Sequence, residues 1–191
     1  VLQRQSNRLK KLTEDLVEAS KASTGNLKVE LGPVDLGELL VQVTGEYEDR
    51  LRQAEISPGV QSPEEPIIAM GDGRYLWRII DNLLSNVRKY ALPGTRVYID
   101  ASVLDGAAVI SVKNISRDRL NVSADELMRR FVRGDASRNT EGSGLGLSIA
   151  QSLAVLMHGK LSLTVDGDLF KAELSLPLAE QNPETAPENP E

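Results

Sequence analysis

The apolar positions of the chain fall into helical and extended patterns. Over residues 1–22, Leu2, Leu9 and Leu16 recur every seven positions, with Gln5, Leu12 and Ala19 between them. This is the a/d seam of a heptad repeat with one polar position and charged outer faces. Such a helix either packs on its own domain or serves oligomerisation, and the narrow, regular seam favours the second. Ser23-Thr-Gly-Asn26 ends it. Leu27–Leu31 reads as a short strand. A second helix opens at Pro33-Val-Asp-Leu, with Asp35 as N-cap and Glu38 three residues on, close to a capping box. Leu36, Leu39, Leu40 and Val43 form its apolar face, and it runs to about Gln53. Ala54–Val60 and Pro66–Met70 are short apolar runs around a Ser/Pro/Glu-rich turn and read as a hairpin. Asp72 caps a third helix with a dense stripe of Leu76, Ile79, Ile80, Leu83, Leu84 and Val87, stopped near Ala91-Leu-Pro-Gly94.

Thr95–Val103 and Ala107–Val112 alternate as two strands around Asp105-Gly106, a strong hairpin turn. Lys113–Glu141 is long and polar, a length that in a compact domain points to a functional or mobile connection. Inside it, Ser123-x-x-Glu126 ahead of Leu127, Met128 and Phe131 predicts one short helix. A fourth strong helical pattern runs to about Met157, with His158-Gly159 as its stop. Leu161–Val165 and Leu169–Leu176 form a last hairpin around Asp166-Gly167. Residues 179–191, rich in Pro and Glu without an apolar anchor, read as a disordered tail. Hairpins between helices predict an α+β fold: a mixed sheet covered on one face by three helices, a two-layer α/β sandwich, with the first helix outside it.

The 191 residues suggest one domain with attached segments. Apolar residues make up 40% and aromatic residues only 4%, so aliphatic side chains must build the core. The net charge of −6, with no long basic run, argues against a nucleic-acid surface. With no cysteine there is neither a disulfide nor a thiolate metal site. No window reaches the apolar length of a membrane span. The chain opens at Val1, mid-pattern, as a portion of a longer protein would.

Two stretches carry candidate chemistry. Gly142, Gly144 and Gly146 stand at alternate positions and run straight into the helical pattern of Leu145, Ile149, Leu153 and Leu156. Glycines let backbone N–H groups approach a ligand, and a helix N-terminus adds unpaired donors and partial positive charge, together a seat for phosphate. A flexible loop before an ordinary helix has the same composition. The stretch is neither a P-loop, since no Lys-Ser/Thr follows the last glycine, nor a dinucleotide fingerprint, since it does not directly follow a strand. On the third helix, Asn82, Asn86, Lys89 and Tyr90 share a face beside the apolar stripe. Two amides one turn apart suit a hard cation such as Mg²⁺. Lys89 suits a phosphate, and the Tyr90 ring could cover a purine. Asparagine is a poor helix former, so two in mid-helix carry a cost unless they have a role.

Asn82-Leu-Leu-Ser-Asn86-Val-Arg-Lys89-Tyr90, followed by Gly142-Ser-Gly-Leu-Gly-Leu-Ser-Ile-Ala150, resembles the N box and second glycine box of bacterial sensor histidine kinases. These belong with DNA gyrases, MutL proteins and heat-shock chaperones to the Bergerat-fold ATPases. Phe131-Val-Arg-Gly-Asp135 with Ser137-Arg138 resembles the kinases' F box. Residues 1–24, with Arg8-Leu-Lys-Lys-Leu and Asp15-Leu16, resemble the end of the second helix of the dimerisation hairpin; residues 25–178 resemble the catalytic domain, with an ATP lid at about 115–141. The resemblance implies ATP and Mg²⁺ as ligands. Asn86 would hold the metal, Asn82 would assist at the metal or phosphates, and Lys89 would meet the phosphates, these three carrying catalysis. Tyr90 would lie near adenine. Gly142, Ser143, Gly144, Leu145, Gly146 and Leu147 would wrap the triphosphate, with Arg138 touching phosphate when the lid closes. The implied partners are a response regulator and a second subunit, in the cytoplasmic portion of a membrane-anchored parent, without nucleic acid. The expected reaction is transfer of the γ-phosphoryl group to a histidine on the hairpin. The alternative is a nucleotide-binding module acting by conformation without kinase activity.

Two features depart from the family pattern. The first glycine box is absent: Lys113-Asn-Ile-Ser-Arg117 has no glycine, and Asn114 stands where an Asp would accept from the adenine amino group. An amide oxygen still accepts, though a neutral acceptor binds less strongly than a charged one. The single histidine, His158, sits at a helix end, where it reads as a helix stop rather than a phosphoacceptor.

Overall fold

The computed structural model describes residues 27–61, 64–120 and 145–179, together with 6, 10, 13, 14, 17, 20, 21, 124 and 127. A five-stranded sheet holds β2 (Ser57–Gln61), β4 (Arg96–Leu104), β5 (Ala107–Ile115), β7 (Leu169–Pro177) and β6 (Lys160–Asp166) in the order β2-β4-β5-β7-β6. β2 lies parallel to β4 and all other pairs are antiparallel, so the sheet is mixed. Three helices cover it: α1 (Leu36–Gln53), α2 (Gly73–Tyr90) and α3 (Gly146–Leu156). β1 (Gly32–Asp35) and β3 (Ile68–Gly71) form a separate two-stranded antiparallel sheet. The two-layer α/β sandwich is the expected one.

Helix boundaries follow local chemistry. Asp35 Oδ1 accepts from the amides of Gly37 and Glu38 at 2.8 and 3.2 Å, and Asp72 Oδ1 accepts from the Arg74 amide at 3.1 Å. Each satisfies donors that a helix start leaves open. The α2 stripe from Leu76 to Val87 is buried in full. It meets Val97, Ile99, Ala108, Ile110, Val112, Ala172, Leu174 and Leu176, all under 2% exposed, together with α1 and α3 in one aliphatic core. α3 ends in a Schellman motif: the amide of His158 donates to Val155 O at 3.0 Å and that of Gly159 to Ala154 O at 2.8 Å. His158 takes the left-handed position, φ 58°. A Cβ on Gly159 would stand 2.4 Å from Ser175 O, so glycine is required there by close approach to β7. Asp105 and Gly106, at φ 51° and 75°, close the β4–β5 hairpin with the backbone of a type I′ turn.

Four local expectations are corrected. Residues 54–60 and 66–70 do not form a hairpin. β2 pairs with β4 across the whole of α2, and β3 pairs with β1. The strand expected at Leu27–Leu31 lies instead at Gly32–Asp35, with Leu27 and Val29 packed against the core. Pro33, expected to open a helix, is a strand residue; β1 has one partner only, so its missing N–H leaves no ladder bond unmade. The last hairpin turns one residue late, at Gly167-Asp168, with Asp166 still paired to Leu169.

β3 is bonded on both sides. Opposite β1, Ala69 bridges Leu178, and the Ala179 amide donates to Ile68 O at 2.9 Å. In the N-terminal stretch Ser6, Lys10, Thr13, Glu14, Val17, Ser20 and Lys21 are helical and exposed. The predicted seam residues, the F-box segment and residues 180–191 lie outside the described residues. So does most of the predicted short helix, of which Ala124 and Leu127 are helical.

Candidate functional site

α2 presents two faces. Its apolar residues go to the core, and Asn82, Asn86, Lys89 and Tyr90 are half-buried on the other side. The C-terminal end of α2 is stitched to the end of β5. Leu92 N donates to Ile115 O at 2.8 Å, Arg117 N to Tyr90 O at 2.8 Å, and Arg117 Nη2 to Lys89 O at 3.1 Å. This brings Asn114 to the same end of the domain as Lys89 and Tyr90. Asn114 is 4% exposed, in register between Val97 and Phe170. Its Nδ2 donates to Ile115 O at 3.2 Å, and its Oδ1 is the acceptor left over.

α3 packs along α2, and the two motifs meet where they cross. A Cβ on Gly146 would lie 3.1 Å from Asn82 Oδ1. Asn82 Nδ2 is buried with no partner among the described residues, which costs about 1–3 kcal/mol if nothing satisfies it. Gly146 is the first residue of α3, and Leu145 before it makes no side-chain capping bond. Among the described residues no side chain caps the first amides of α3, which have the positive end of the helix dipole behind them. The Leu147 side chain is 1% exposed and belongs to the core, so what it offers the site is its backbone. Leu145 is half-buried against the same core. Arg138, Gly142, Ser143 and Gly144 lie outside the described residues. An orphaned amide, a helix start without a cap and a bare Cα between them fit a ligand that carries phosphate.

Two polar networks brace this arrangement; the sequence marked Asp72 as a helix cap but indicated neither its ion pair with Arg74 nor the pairing of Asp81 with Tyr47. Asp72, 3% exposed, accepts from Glu30 N at 3.0 Å and from Arg74 Nε and Nη2 at 3.1 and 2.8 Å. The Arg74 guanidinium, with backbone amides helping, holds the Asp72 carboxyl at about 2, below the usual carboxylate range, against the opposing pull of burial. Asp72 N in turn donates to Met157 Sδ at 3.3 Å, so the start of α2 touches the end of α3. On the other side of α2, Tyr47 of α1 donates through its hydroxyl to the Asp81 carboxylate and to Asp81 O, while Arg78 Nη1 lies 3.3 Å from Asp81 Oδ2. Burial, then the neighbouring carboxylate, pushes the Tyr47 phenol well above its ordinary value. The available signal was a carboxylate at position 81, inside the apolar stripe.

Residues 71–180 match the family described as histidine kinase-, DNA gyrase B-, and HSP90-like ATPase. The chain is 27% identical over 176 residues to the probable sensor histidine kinase TcrY of Mycobacterium tuberculosis, covering 91% of this chain and 36% of TcrY. It is 30% identical over 175 residues to the sensor histidine kinase RppB of Synechocystis, covering 91% and 38%. It thus spans less than two fifths of either relative. Among solved structures, full-length ShkA in complex with AMPPNP superposes with a TM-score of 0.73 at 29% identity, over 92% of this chain and 37% of ShkA. With more than half of its length matched, and with the fold to go with it, the chain belongs to the histidine kinase-, DNA gyrase B- and HSP90-like ATPase family.

Proposed function

We propose that this chain binds ATP between α2 and the start of α3 and is the catalytic portion of a sensor histidine kinase. The observation that carries the reading is the meeting of Asn82 with Gly146, which places the polar face of α2 against the uncapped start of α3. The α3 amides and Lys89 face the phosphates, and Asn114 accepts from the adenine amino group beside Tyr90. Bound Mg²⁺ would neutralise phosphate charge, with Asn86 as its protein ligand and Asn82 assisting; catalysis of this class is mainly positioning and charge neutralisation. Arg138 and the Gly142–Gly144 stretch close over the triphosphate as the end of a lid spanning about residues 115–141. In the reaction the bond from the γ-phosphorus to the β,γ-bridging oxygen breaks, a P–N bond forms to a histidine, ADP leaves, and the imidazole proton is released. The phosphoryl group then passes to an aspartate of a response regulator.

His158 has a backbone role of its own, as the left-handed stop of α3. The acceptor belongs on the first helix of a hairpin, of which residues 1–24 are the end of the second helix, in a membrane-anchored homodimeric parent. The two relatives quoted are named as sensor histidine kinases, which favours phosphotransfer over a module that only binds nucleotide. Incubation with γ-labelled ATP, Mg²⁺ and a separately produced histidine-bearing hairpin tests the reading. Label should appear on the hairpin histidine and vanish with Asn86→Ala. Normal ATP binding without transfer refutes the kinase assignment, and absence of ATP binding refutes the site.

A further inference from the structure

Gly146 is a glycine without a backbone reason to be one. It is helical, and it is not among the positive-φ glycines of the described residues, which are Gly94, Gly106 and Gly167. An alanine is the better helix former. The space around it supplies a different reason. The three nearest heavy atoms to a Cβ at this position all belong to one side chain: Asn82 Oδ1 at 3.1 Å, Cγ at 3.5 Å and Cβ at 3.7 Å. Gly159 makes the contrast, since its constraint is the main chain of β7. Beside Gly146, the Asn82 carboxamide has its oxygen over the bare Cα and its nitrogen buried without a partner among the described residues.

We infer that Gly146 is a positioning residue for Asn82: its missing side chain is the clearance in which the Asn82 carboxamide turns to meet the phosphates of a bound nucleotide or their metal. This rests on the ATP site proposed above and assigns one of its glycines a role through a side chain rather than through its own N–H. A buried, unsatisfied amide gains most from a ligand that gives it a partner. The terminal torsion of asparagine is soft, so the turn itself costs little. A methyl group at position 146 fills the volume the amide oxygen must sweep.

The test is a double-mutant cycle with Gly146→Ala, Asn82→Ala and the pair, reading AMPPNP affinity in the presence of Mg²⁺ by calorimetry and thermal midpoint for fold. Gly146→Ala should weaken AMPPNP binding about tenfold in the otherwise unmodified chain and less than twofold in the Asn82→Ala background, a coupling of the size seen between residues in contact. The Asn82 side-chain amide resonances should shift on adding AMPPNP to the unmodified chain and stay in place in Gly146→Ala. Equal losses in both backgrounds, no loss with Gly146→Ala, or Asn82 amide resonances that move on AMPPNP addition as far in that variant as in the unmodified chain overturn the inference alone. Failure of the unmodified chain to bind AMPPNP overturns the ATP site and this inference with it. If Gly146→Ala alone unfolds the chain while the double variant folds, the clash is with Asn82 and the inference stands; unfolding of both overturns it.

Discussion

Asp72→Asn removes the charge of a buried carboxylate and leaves its N-capping oxygen in place. Asp72 caps α2, receives the Glu30 amide at 3.0 Å and pairs with Arg74 Nη2 at 2.8 Å. Asparagine is an equally good N-cap, so Oδ1 can keep the Arg74 amide, but the nitrogen that replaces Oδ2 accepts from neither Glu30 N nor Arg74 Nη2, and the ionic part goes together with those two bonds. The carboxyl sits at about 2 in the folded chain, against roughly 3.9 for an unfolded aspartate. At about 1.4 kcal/mol per pKa unit the difference corresponds to ~2.5 kcal/mol. Arg74 is 66% exposed, so solvent screens its share, and about 1.5 kcal/mol is the expected contribution. Because the folded pKa lies below the unfolded one, this stabilisation is complete at pH values above the unfolded pKa. It is lost as the pH falls from about 4 through about 2. Urea unfolding at pH 7 should show Asp72→Asn less stable by about 1.5 kcal/mol, with a thermal midpoint roughly 3–6 °C lower for a chain of this size. The gap should shrink to about half by pH 3. A gap that stays constant from pH 7 to pH 3, or that is absent at pH 7, refutes the ionic role of Asp72.

His158→Gly relieves a left-handed residue in the α3 stop and should stabilise by about 1 kcal/mol, raising the thermal midpoint by roughly 2–4 °C; a lower midpoint would show that the imidazole has a packing role. Tyr47→Phe leaves the buried Asp81 carboxylate with Arg78 alone and should cost about 1–3 kcal/mol in urea unfolding, whereas unchanged stability would mean that Arg78 or water satisfies it in full. Asn114→Ala should weaken ATP binding by about tenfold in an equilibrium titration, and unaltered affinity removes Asn114 from the adenine site.

What could be read from sequence was whatever local chemistry decides. Asp35 and Asp72 cap helices because a side-chain oxygen next to a run of free amides has one favourable use. Asp105-Gly106 closes a hairpin because both residues tolerate positive φ. The failures were non-local. β2 and β3 look alike as short apolar runs, yet each pairs with a strand that no adjacent turn connects to it, and nothing local distinguishes a parallel partner across a helix from an antiparallel neighbour. Within the site, helical spacing put Asn82, Asn86, Lys89 and Tyr90 on one face, and the glycine spacing marked the start of α3. That Gly146 faces Asn82, and that Asp72 touches Met157 Sδ, depends on how two helices cross. Asp81 shows the limit of patterning: a carboxylate among core positions marks a buried partner without naming Tyr47.

β3 takes bonds from the chain on its way into the domain, through β1, and again on its way out, through Leu178 and Ala179. Both tethers of the domain are therefore fastened at one spot, and α2 leaves that spot as a stiff rod. Asn86 lies 14 residues beyond Asp72, about 21 Å along the helix axis. A swing of about 10° pivoting on β3 would carry Asn86 through roughly 3.5 Å at that helical rise, with the rest of the domain riding along unaltered. Lever length thus makes Asn86 far more sensitive than Asp72 to any rotation at that corner: such a swing there would correspond to a displacement at the far end as long as a chemical contact.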